Sequence, residues 1–411
     1  MAAASAFRDH REDVCRRHLS FWESSGVSGA VIVLVALLWR LLVFAAPEPV
    51  GYDESVYCAY AQLLGERGFD GLRKAARVWR DHEVFNKGSL PYRIGYLFPC
   101  AWACKFIGGY TPLNLARISF FFGLATVVIA WRLARRWCGP IYGVVTALLV
   151  AFSPLGTLLS ARALQDSCFA FVIGLSLFFF DRCWRANRRS DVLWLGIVLL
   201  WGWLSKESML FLYPAYLLMG LCYARDGWHG KLSLILPFLV APLLHWAVVV
   251  WLSGGWKICW ENYSAYAAMQ RQIPYAVKFQ AGPWFRYLVD WMLLSPLVVV
   301  LAIAGAAALP RNVQPVLAFT LGAVAVMSFL PILNVRFLLF LDPCVRLFAV
   351  VGVVAVSRRL RAAVRDQCVA ALGLIVILLG SELFQFYRIV EGGGVYDPVT
   401  AELIRANGFI R

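Results

Sequence analysis

Long apolar runs constrain this chain more than any other feature of its sequence. Eleven mainly apolar segments are separated by polar stretches, and the longest reach about twenty residues, which is the length that a helix needs to cross a bilayer. The segments are 27–46, 114–134, 139–158, 167–182, 191–204, 207–223, 231–252, 286–308, 315–333, 335–356 and 367–387. Because 61% of the residues are hydrophobic and only 15% are charged, we expect an all-α polytopic membrane protein with about eleven transmembrane helices.

The positive charge of the chain follows this segment pattern. A net charge of +15 in a soluble protein would suggest nucleic-acid binding, but here the arginines cluster at the ends of apolar segments. That placement is typical of membrane topology and of contact with anionic lipid headgroups, so no nucleic-acid partner is expected. The Arg-rich stretches are the N-terminal tail and the loops at 132–140, 181–191, 223–231, 309–312 and 357–367.

The segment 94–108 decides how these loops are distributed. It has only about fifteen residues and contains Pro99 and Lys105. If it lies flat at the interface, all the Arg-rich stretches fall on one side, which the positive-inside rule makes the cytoplasm. We therefore predict an interfacial helix at 94–108.

This topology predicts one membrane domain covering residues 1–387. Its extracytoplasmic side would carry a long first loop at 47–113 with interfacial helices, a second large loop at 253–285 and a short tail at 388–411 without a separate soluble domain. The predicted location is the bacterial inner or plasma membrane, with several passes through the bilayer.

The extracytoplasmic side also gathers acids and cations from five parts of the chain. They are Asp53, Glu54, Lys87, Arg162, Asp166, Lys206 and Arg336. Asp53 begins a predicted amphipathic helix at 52–64, where it is either a helix cap or a general base. Asp166 is either a cap or a cavity residue, and Arg162, four residues earlier, either pairs with it or shares that cavity.

The lysine and arginine candidates can also be interpreted either as structural residues or as ligands of a substrate. Lys206 lies where the segments 191–204 and 207–223 are predicted to bend around Ser205-Lys206-Glu207. Lys206 and Arg336 are either side chains that reach to the interface or ligands for phosphate oxygens. Lys87 follows Asn86 in a turn and is a third candidate phosphate ligand.

Several classes of site are not indicated. The sequence contains no P-loop motif and no Rossmann motif, and its eleven cysteines include no CxxC pair. Acids and cations on one membrane face instead predict a site for an anionic substrate that is delivered in the bilayer and carries its own reaction energy. A polyprenyl-phosphate sugar fits that description.

Five motifs in order resemble those of the GT-C membrane glycosyltransferases, in particular the bacterial relatives of protein O-mannosyltransferases and of the lipid A aminoarabinose transferase. The motifs are GYDESVYCAYAQLL (51–64), NKGSLPYRIGYLFPCAWACKFIGG (86–109), RRWCGPIYGVVTALLVAFSPLGTLLSARALQDSCFAF (135–171), WGWLSKESMLFLYPAYLL (201–218) and NVRFLLFLDPCVRLFAVVG (334–352). The resemblance implies a GT-C fold and a glycosyltransferase that uses a polyprenyl-phosphate donor. Glu207 departs from the family pattern, in which glycine is usual.

The resemblance also implies roles for the candidate residues. Asp53 would be the catalytic base of an inverting transfer, and Glu54 would support it or bind the acceptor. Asp166 and Arg162 would line the acceptor or sugar side, whereas Lys87, Lys206 and Arg336 would neutralise the lipid phosphate.

Several identities stay open at this stage. The acceptor is a glycan, a lipid or a protein, and the sugar is not specified. No cofactor is assigned and a divalent cation stays open, although Asn86 stands where some relatives have an acid or a histidine. The alternative function is a transporter or flippase of lipid-linked glycans.

Overall fold

The computed structural model describes residues 25–44, 52–83, 85–186, 188–224, 232–272, 280–360 and 364–391. Within these ranges the regular structure is helical and contains no β-strand. The α-helices are α1 (Ser25–Val43), α2 (Tyr52–Val78), α3 (Ile94–Ile107), α4 (Pro112–Cys138), α5 (Pro140–Ala151), α6 (Pro154–Ser160), α7 (Asp166–Ala186), α8 (Arg189–Ser205), α9 (Tyr213–Ala224), α10 (Ile235–Ser253), α11 (Trp256–Gln272), α12 (Arg286–Leu294), α13 (Pro296–Ala306), α14 (Gln314–Ser328), α15 (Asp342–Leu360) and α16 (Val364–Glu391). Shorter 3-10 helices include Phe85–Lys87, Glu207–Leu212 and Val335–Leu341.

The helices confirm an all-α polytopic membrane protein. In the described ranges, five helical stretches are long and apolar enough to cross a membrane, and the count rises to seven if each of two bent pairs is one span. The five are Pro112–Cys138, Asp166–Ala186, Ile235–Ser253, Val335–Leu360 and Gln367–Arg388. Every one of the eleven predicted apolar segments contains helix, but the number eleven itself stays a prediction.

Two of the predicted apolar segments each contain two helices that meet at an angle. The segment 139–158 divides into α5 and α6, which meet at 58°, and 286–308 divides into α12 and α13, which meet at 119°. Pro154 and Pro296 are the first residues of α6 and α13. Proline has no backbone N–H to donate to the preceding turn, so each one begins a new helix rather than extending the old one.

The first loop contains the helices expected there. α2 covers the predicted amphipathic helix 52–64 and continues to Val78 across a kink at Gly68, where φ is 61°. α3 occupies the segment 94–108 and ends at Gly108, where φ is 100°. Whether α3 lies at the interface or crosses the bilayer stays a prediction.

The two long loops are joined by a buried hydrogen-bonded contact. The Tyr92 hydroxyl accepts hydrogen bonds from Ser253 Oγ (2.7 Å) at the end of α10 and from Asn262 Nδ2 (2.9 Å) on α11. Asn262 Nδ2 also donates to the Ala76 carbonyl on α2 (2.8 Å). Since these groups are buried, their hydrogen bonds hold α11 against the first loop.

An ionic cluster is buried between α15, α16 and the break before α13. Arg346 Nε donates to Asp342 Oδ2 (2.9 Å), and Arg346 Nη1 lies 2.7 Å from Glu382 Oε2. Ser295 Oγ donates to the same Glu382 oxygen (3.0 Å). The Arg346 and Glu382 side chains are at most 1% exposed, so this contact anchors α16 through charge as well as through packing.

α13 and α15 cross with their backbones in contact. A Cβ atom on Gly305 would lie 1.8 Å from the Phe348 carbonyl oxygen, and one on Gly352 would lie 2.0 Å from the Leu301 carbonyl oxygen. Neither contact leaves room for a methyl group, so both glycines are required by the close approach of the two helices.

Replacing Gly305 by alanine is expected to lower the stability of the purified protein by about 3 kcal/mol, because the helices must separate to accept the methyl group. Thermal unfolding in detergent would measure the loss. Gly380→Ala on α16 is the matched control, since a Cβ there meets nothing within 4 Å, and it should be neutral or mildly stabilising. Equal stability of the two variants would contradict a tight crossing.

Candidate active site

Four ion pairs bring together the parts of the sequence that carried the candidate residues. The pairs are Asp53–Arg336, Glu54–Arg162, Asp166–Lys206 and Glu207–Arg93. Asp53 is adjacent to Glu54 and Lys206 is adjacent to Glu207, so neighbouring pairs share a backbone segment. The first loop, the α6–α7 connection, the α8 end and the segment before α15 therefore form one charged cluster.

Asp53 contacts Arg336 directly. Arg336 Nη2 donates to Asp53 Oδ2 at 3.0 Å, although the two residues are 283 positions apart. Asn334 caps the segment that carries Arg336, because its side chain accepts a hydrogen bond from the Arg336 backbone N–H (3.1 Å). The Asp53 side chain is 30% exposed and is the most exposed carboxylate of the four pairs, so it is the acid of this group most accessible to solvent or a substrate.

Glu54 has a different environment from Asp53. Arg162 Nε and Nη2 donate to its two carboxylate oxygens at 2.9 and 2.7 Å, and the Ala163 backbone N–H adds a bond of 2.9 Å. The Glu54 side chain is 2% exposed. The Arg162–Asp166 pairing left open by the sequence is therefore not the one formed, because the Glu54 carboxylate receives both arms of the guanidinium.

Asp166 and Lys206 form the most deeply buried of the four pairs. Lys206 Nζ donates to Asp166 Oδ1 at 2.6 Å, and the two side chains are 6% and 1% exposed respectively. Asp166 Oδ2 has no hydrogen-bond partner among the described residues. Arg336 and Arg93 are close enough to act electrostatically on Asp166. The helix break predicted around Lys206 is present, since α8 ends at Ser205 and Lys206 is extended (φ −159°, ψ 129°).

The Phe337 ring lies next to two of the three cations that were predicted to bind phosphate. Lys206 Nζ lies 4.6 Å from the centre of the Phe337 ring, and the Arg336 guanidinium carbon lies 5.5 Å from it. A ring face attracts cations without neutralising them. Lys206 and Arg336 therefore both lie beside the apolar Phe337 ring. A lipid phosphate also combines a charged group with an apolar chain, so this arrangement could bind one.

The sequence analysis missed the role of Arg93. Arg93 Nη2 donates to Glu207 Oε2 at 2.9 Å, Nη1 donates to Ser89 Oγ at 2.8 Å and also to the Tyr57 hydroxyl, and Nη2 reaches the Tyr266 hydroxyl on α11 at 3.4 Å. One feature of the sequence could have pointed to Arg93. Glu207 is an acid between two apolar segments, and a buried acid needs a basic partner.

Burial and neighbouring charge have opposite effects on the pKa of Arg93. Burial disfavours the Arg93 guanidinium, but the Glu207 carboxylate outweighs that cost and holds the pKa of Arg93 well above its ordinary value. Burial raises the pKa of the Tyr57 phenol. Arg93 is therefore a permanent cation beside a protonated tyrosine.

Glu207→Gln is expected to cost about 2 kcal/mol of stability, because it leaves the buried Arg93 charge without its carboxylate. The Glu207 side chain is 25% exposed, so the loss should be smaller than for a fully buried pair. Glu261→Gln is the control, since its pair with Arg80 is exposed on both sides and should be worth at most about 1 kcal/mol. Thermal unfolding of both variants measures the difference, and equal losses would contradict this account.

Two remaining predictions concern Lys87 and metal binding. Lys87 ends the 3-10 helix Phe85–Lys87, but its side chain lies outside the part of the structure that is described, so its phosphate-binding role stays a prediction. Across the described ranges, no group of three or more histidine, cysteine, aspartate or glutamate side chains is arranged to hold a metal ion.

Comparison with known proteins gives a family match in the middle of the chain. Residues 101–253 match the profile of the family described as dolichyl-phosphate-mannose-protein mannosyltransferase. That range includes Arg162, Asp166 and Lys206, whereas Asp53 and Arg336 lie outside it. A search of curated protein sequences gave no match.

Solved structures match nearly the whole chain. ArnT from Cupriavidus metallidurans in the apo state is 16% identical with a TM-score of 0.52, covering 90% of this chain and 73% of its own. The same protein bound to undecaprenyl phosphate matches with 15% identity, a TM-score of 0.50 and the same coverage. The archaeal oligosaccharyltransferase AglB from Archaeoglobus fulgidus, in complex with an inhibitory peptide and a dolichol-phosphate, is 13% identical with a TM-score of 0.58, covering 87% of this chain and 55% of its own.

The structural matches confirm the fold that the resemblance implied. The chain has the fold of the GT-C membrane glycosyltransferases and is an integral, multi-pass membrane protein.

Proposed function

We propose that this chain is a glycosyltransferase that moves a sugar from a polyprenyl-phosphate-linked donor to an acceptor hydroxyl at the extracytoplasmic face of the membrane. The observation that carries the proposal is the contact between Asp53 and Arg336, with Lys206 beside Arg336 across the Phe337 ring. A base and two phosphate-binding cations thus lie within one cluster, as group transfer from a sugar phosphate requires.

The reaction is a single displacement at the anomeric carbon. The Asp53 carboxylate takes the proton of the acceptor hydroxyl, and the acceptor oxygen attacks the anomeric carbon from the side opposite the phosphate. The bond between that carbon and the phosphate oxygen breaks, and its electron pair leaves with the lipid phosphate. One displacement inverts the configuration.

The cations stabilise the leaving group. An ammonium has three donors, and Lys206 uses one of them on Asp166, so others are available for phosphate. Arg336 presents a planar fork that matches phosphate oxygens. Preorganised donors of this kind contribute roughly 3–4 kcal/mol each to transition-state stabilisation.

Donor binding also prepares the base. Arg336 is bound to Asp53 in this structure, and the donor phosphate, whose oxygens match the planar fork of the guanidinium, competes with Asp53 for it. When the phosphate takes Arg336, the Asp53 carboxylate is released from its ion pair and can accept the hydrogen of the acceptor hydroxyl. The proposed order is donor first, acceptor second.

The other acids have supporting roles in this proposal. Glu54 is buried and receives three hydrogen bonds, so it positions α2 and thereby Asp53. The Asp166 oxygen that lacks a partner among the described residues is a natural acceptor for a hydroxyl of the sugar. α11 reaches the cluster through Tyr266, which places the second loop where an acceptor can be bound.

Membranes that contain the protein, incubated with radiolabelled polyprenyl-phosphate sugars, test the proposal. We expect label to appear in a new glycoside whose anomeric configuration is opposite to that of the donor, and the labelled molecule identifies the acceptor. Transfer of intact labelled donor between leaflets without a new glycosidic bond would overturn the proposal in favour of a lipid-linked glycan transporter.

A further inference from the structure

A groove between α1 and α4 lies apart from the charged cluster. It encloses about 470 Å³ and is lined by Gly29, Val33 and Leu37 of α1 and by Val128, Trp131 and Arg132 of α4, together with Ala30, Ile32 and Leu34. The volume falls within the range of small-ligand pockets, roughly 300–1,000 Å³. Arg132 is the one charged residue in the lining.

The length of the groove corresponds to one leaflet of a bilayer. Residues 29–37 of α1 rise by about 12 Å along the helix axis, whereas half of a hydrocarbon core is about 15 Å. Gly29 lies in the first turns of α1, and a Cβ there would be 2.9 Å from the Trp131 ring. The start of α1 is therefore adjacent to the Arg-rich end of α4, and the groove runs from that end toward the membrane centre.

The Arg-rich end of the groove offers donors to an anion. Arg132 is exposed and has no ion-pair partner among the described residues, whereas Arg136, one turn later, is bound to Asp181. The guanidinium carbons of Arg132 and Arg135 lie 5.0 and 5.6 Å from the Trp131 ring. The Trp131 ring forms the floor of the groove, since the six-membered part of the indole lies against Gly29.

We propose that this groove binds one anionic glycerophospholipid from the leaflet at the Arg-rich face. The phosphate would be held by Arg132, and one acyl chain would lie along Val33 and Leu37. Apolar walls with a cation at headgroup height suit this ligand. They suit the polyprenyl-phosphate donor less well, because Asp53 and Arg336 are in another part of the fold and the groove has the length of a single leaflet.

Such a lipid would complete the packing of α1. Leu34 and Leu38 are more than half exposed, so α1 makes much of its contact with lipid. α1 immediately precedes the segment that leads to α2 and Asp53, so a bound lipid would stabilise the helix on which the first loop depends.

Thermal unfolding of the purified full chain in mixed micelles with dioleoyl phosphatidylglycerol or dioleoyl phosphatidylcholine tests this inference. Phosphatidylglycerol is expected to raise the unfolding temperature saturably, and native mass spectrometry should show one retained lipid. Arg132→Ala should weaken phosphatidylglycerol binding by about fivefold. Arg359→Ala is the control, since Arg359 is also an exposed arginine at a helix end, and should bind as the unsubstituted protein does.

A second variant separates the groove from general surface charge. Val33→Trp keeps every charge but fills the groove, and it should reduce the number of retained lipids without changing the fold seen by circular dichroism. Equal effects of both lipids on the unsubstituted protein, or equal losses in Arg132→Ala and Arg359→Ala, would overturn the proposal. Displacement of phosphatidylglycerol by polyprenyl phosphate would also overturn it, because the groove would then belong to the donor.

Discussion

Asp53→Asn should lower kcat by about three orders of magnitude, because asparagine keeps the size of the side chain but cannot accept the proton of the acceptor hydroxyl. Donor affinity should be unchanged or higher, since the variant no longer competes with the donor phosphate for Arg336. Initial rates with a labelled polyprenyl-phosphate sugar, together with direct measurement of donor binding, separate these two quantities.

The control for Asp53→Asn lies on the same helix. Asp70 is also on α2, but its side chain is 87% exposed and contacts Arg73, so Asp70→Asn should leave both turnover and donor binding unchanged. Turnover of the Asp53 variant within tenfold of the unsubstituted enzyme would mean that another group takes the proton. Loss of donor binding would indicate a structural role for the Asp53–Arg336 contact instead.

Arg346→Met is expected to be the most damaging substitution for stability. It leaves Asp342 and Glu382 buried without the guanidinium that pairs with both. Removing one partner of a buried ion pair typically costs about 3–5 kcal/mol. Thermal unfolding and the yield of folded protein in detergent would measure the loss.

A double variant distinguishes loss of charge balance from loss of packing. Glu382→Leu added to Arg346→Met removes the carboxylate left without a cation, while Asp342 remains attracted to Arg40. The double variant should therefore be more stable than Arg346→Met alone, which is a non-additive result. A double variant that is less stable than the single one would show that packing, and not charge, decides the role of this cluster.

Much of the fold could be predicted from the sequence because a bilayer imposes simple requirements. Spans must be apolar and helical, and the predicted segments all contain helix. The breaks at Pro154 and Pro296 were harder to predict, because proline is tolerated in membrane helices when neighbouring groups satisfy the freed backbone. The sharp turn between α12 and α13 depends on packing around Ser295, which no local pattern records.

The sequence identified most of the charged residues of the candidate site, but it did not show which of them form ion pairs with each other. Asp53, Asp166, Lys206 and Arg336 were singled out because charges next to apolar segments are costly, and the structure places them together. Their partners depend on which helices are neighbours in space. Glu54 was expected to support Asp53 or to bind the acceptor, and that role stays a prediction. Its partner Arg162 could not be predicted, because it comes from a connection more than 100 residues away.

Arg93 shows the limit of the motif comparison. It lies inside one of the five motifs, but it attracted no prediction because its partner, Glu207, is 114 positions later in the sequence. The acid and the cation become a single feature only when α3 and the end of α8 are seen side by side. Gly95 permits that approach, since a Cβ on it would lie 2.5 Å from Ser205 Oγ.

The glycine crossing of α13 and α15 limits how these two helices can move. Backbones that touch at Gly305 and Gly352 cannot slide by a turn or rotate without a clash. The short helix carrying Arg336 runs directly into α15, so the backbone behind the guanidinium is anchored at this crossing. On the other side, Glu54 is held by Arg162 and the Ala163 backbone, so Asp53 also projects from an anchored segment. Both partners of the Asp53–Arg336 contact are therefore carried by backbone that is fixed by tight packing or by buried hydrogen bonds.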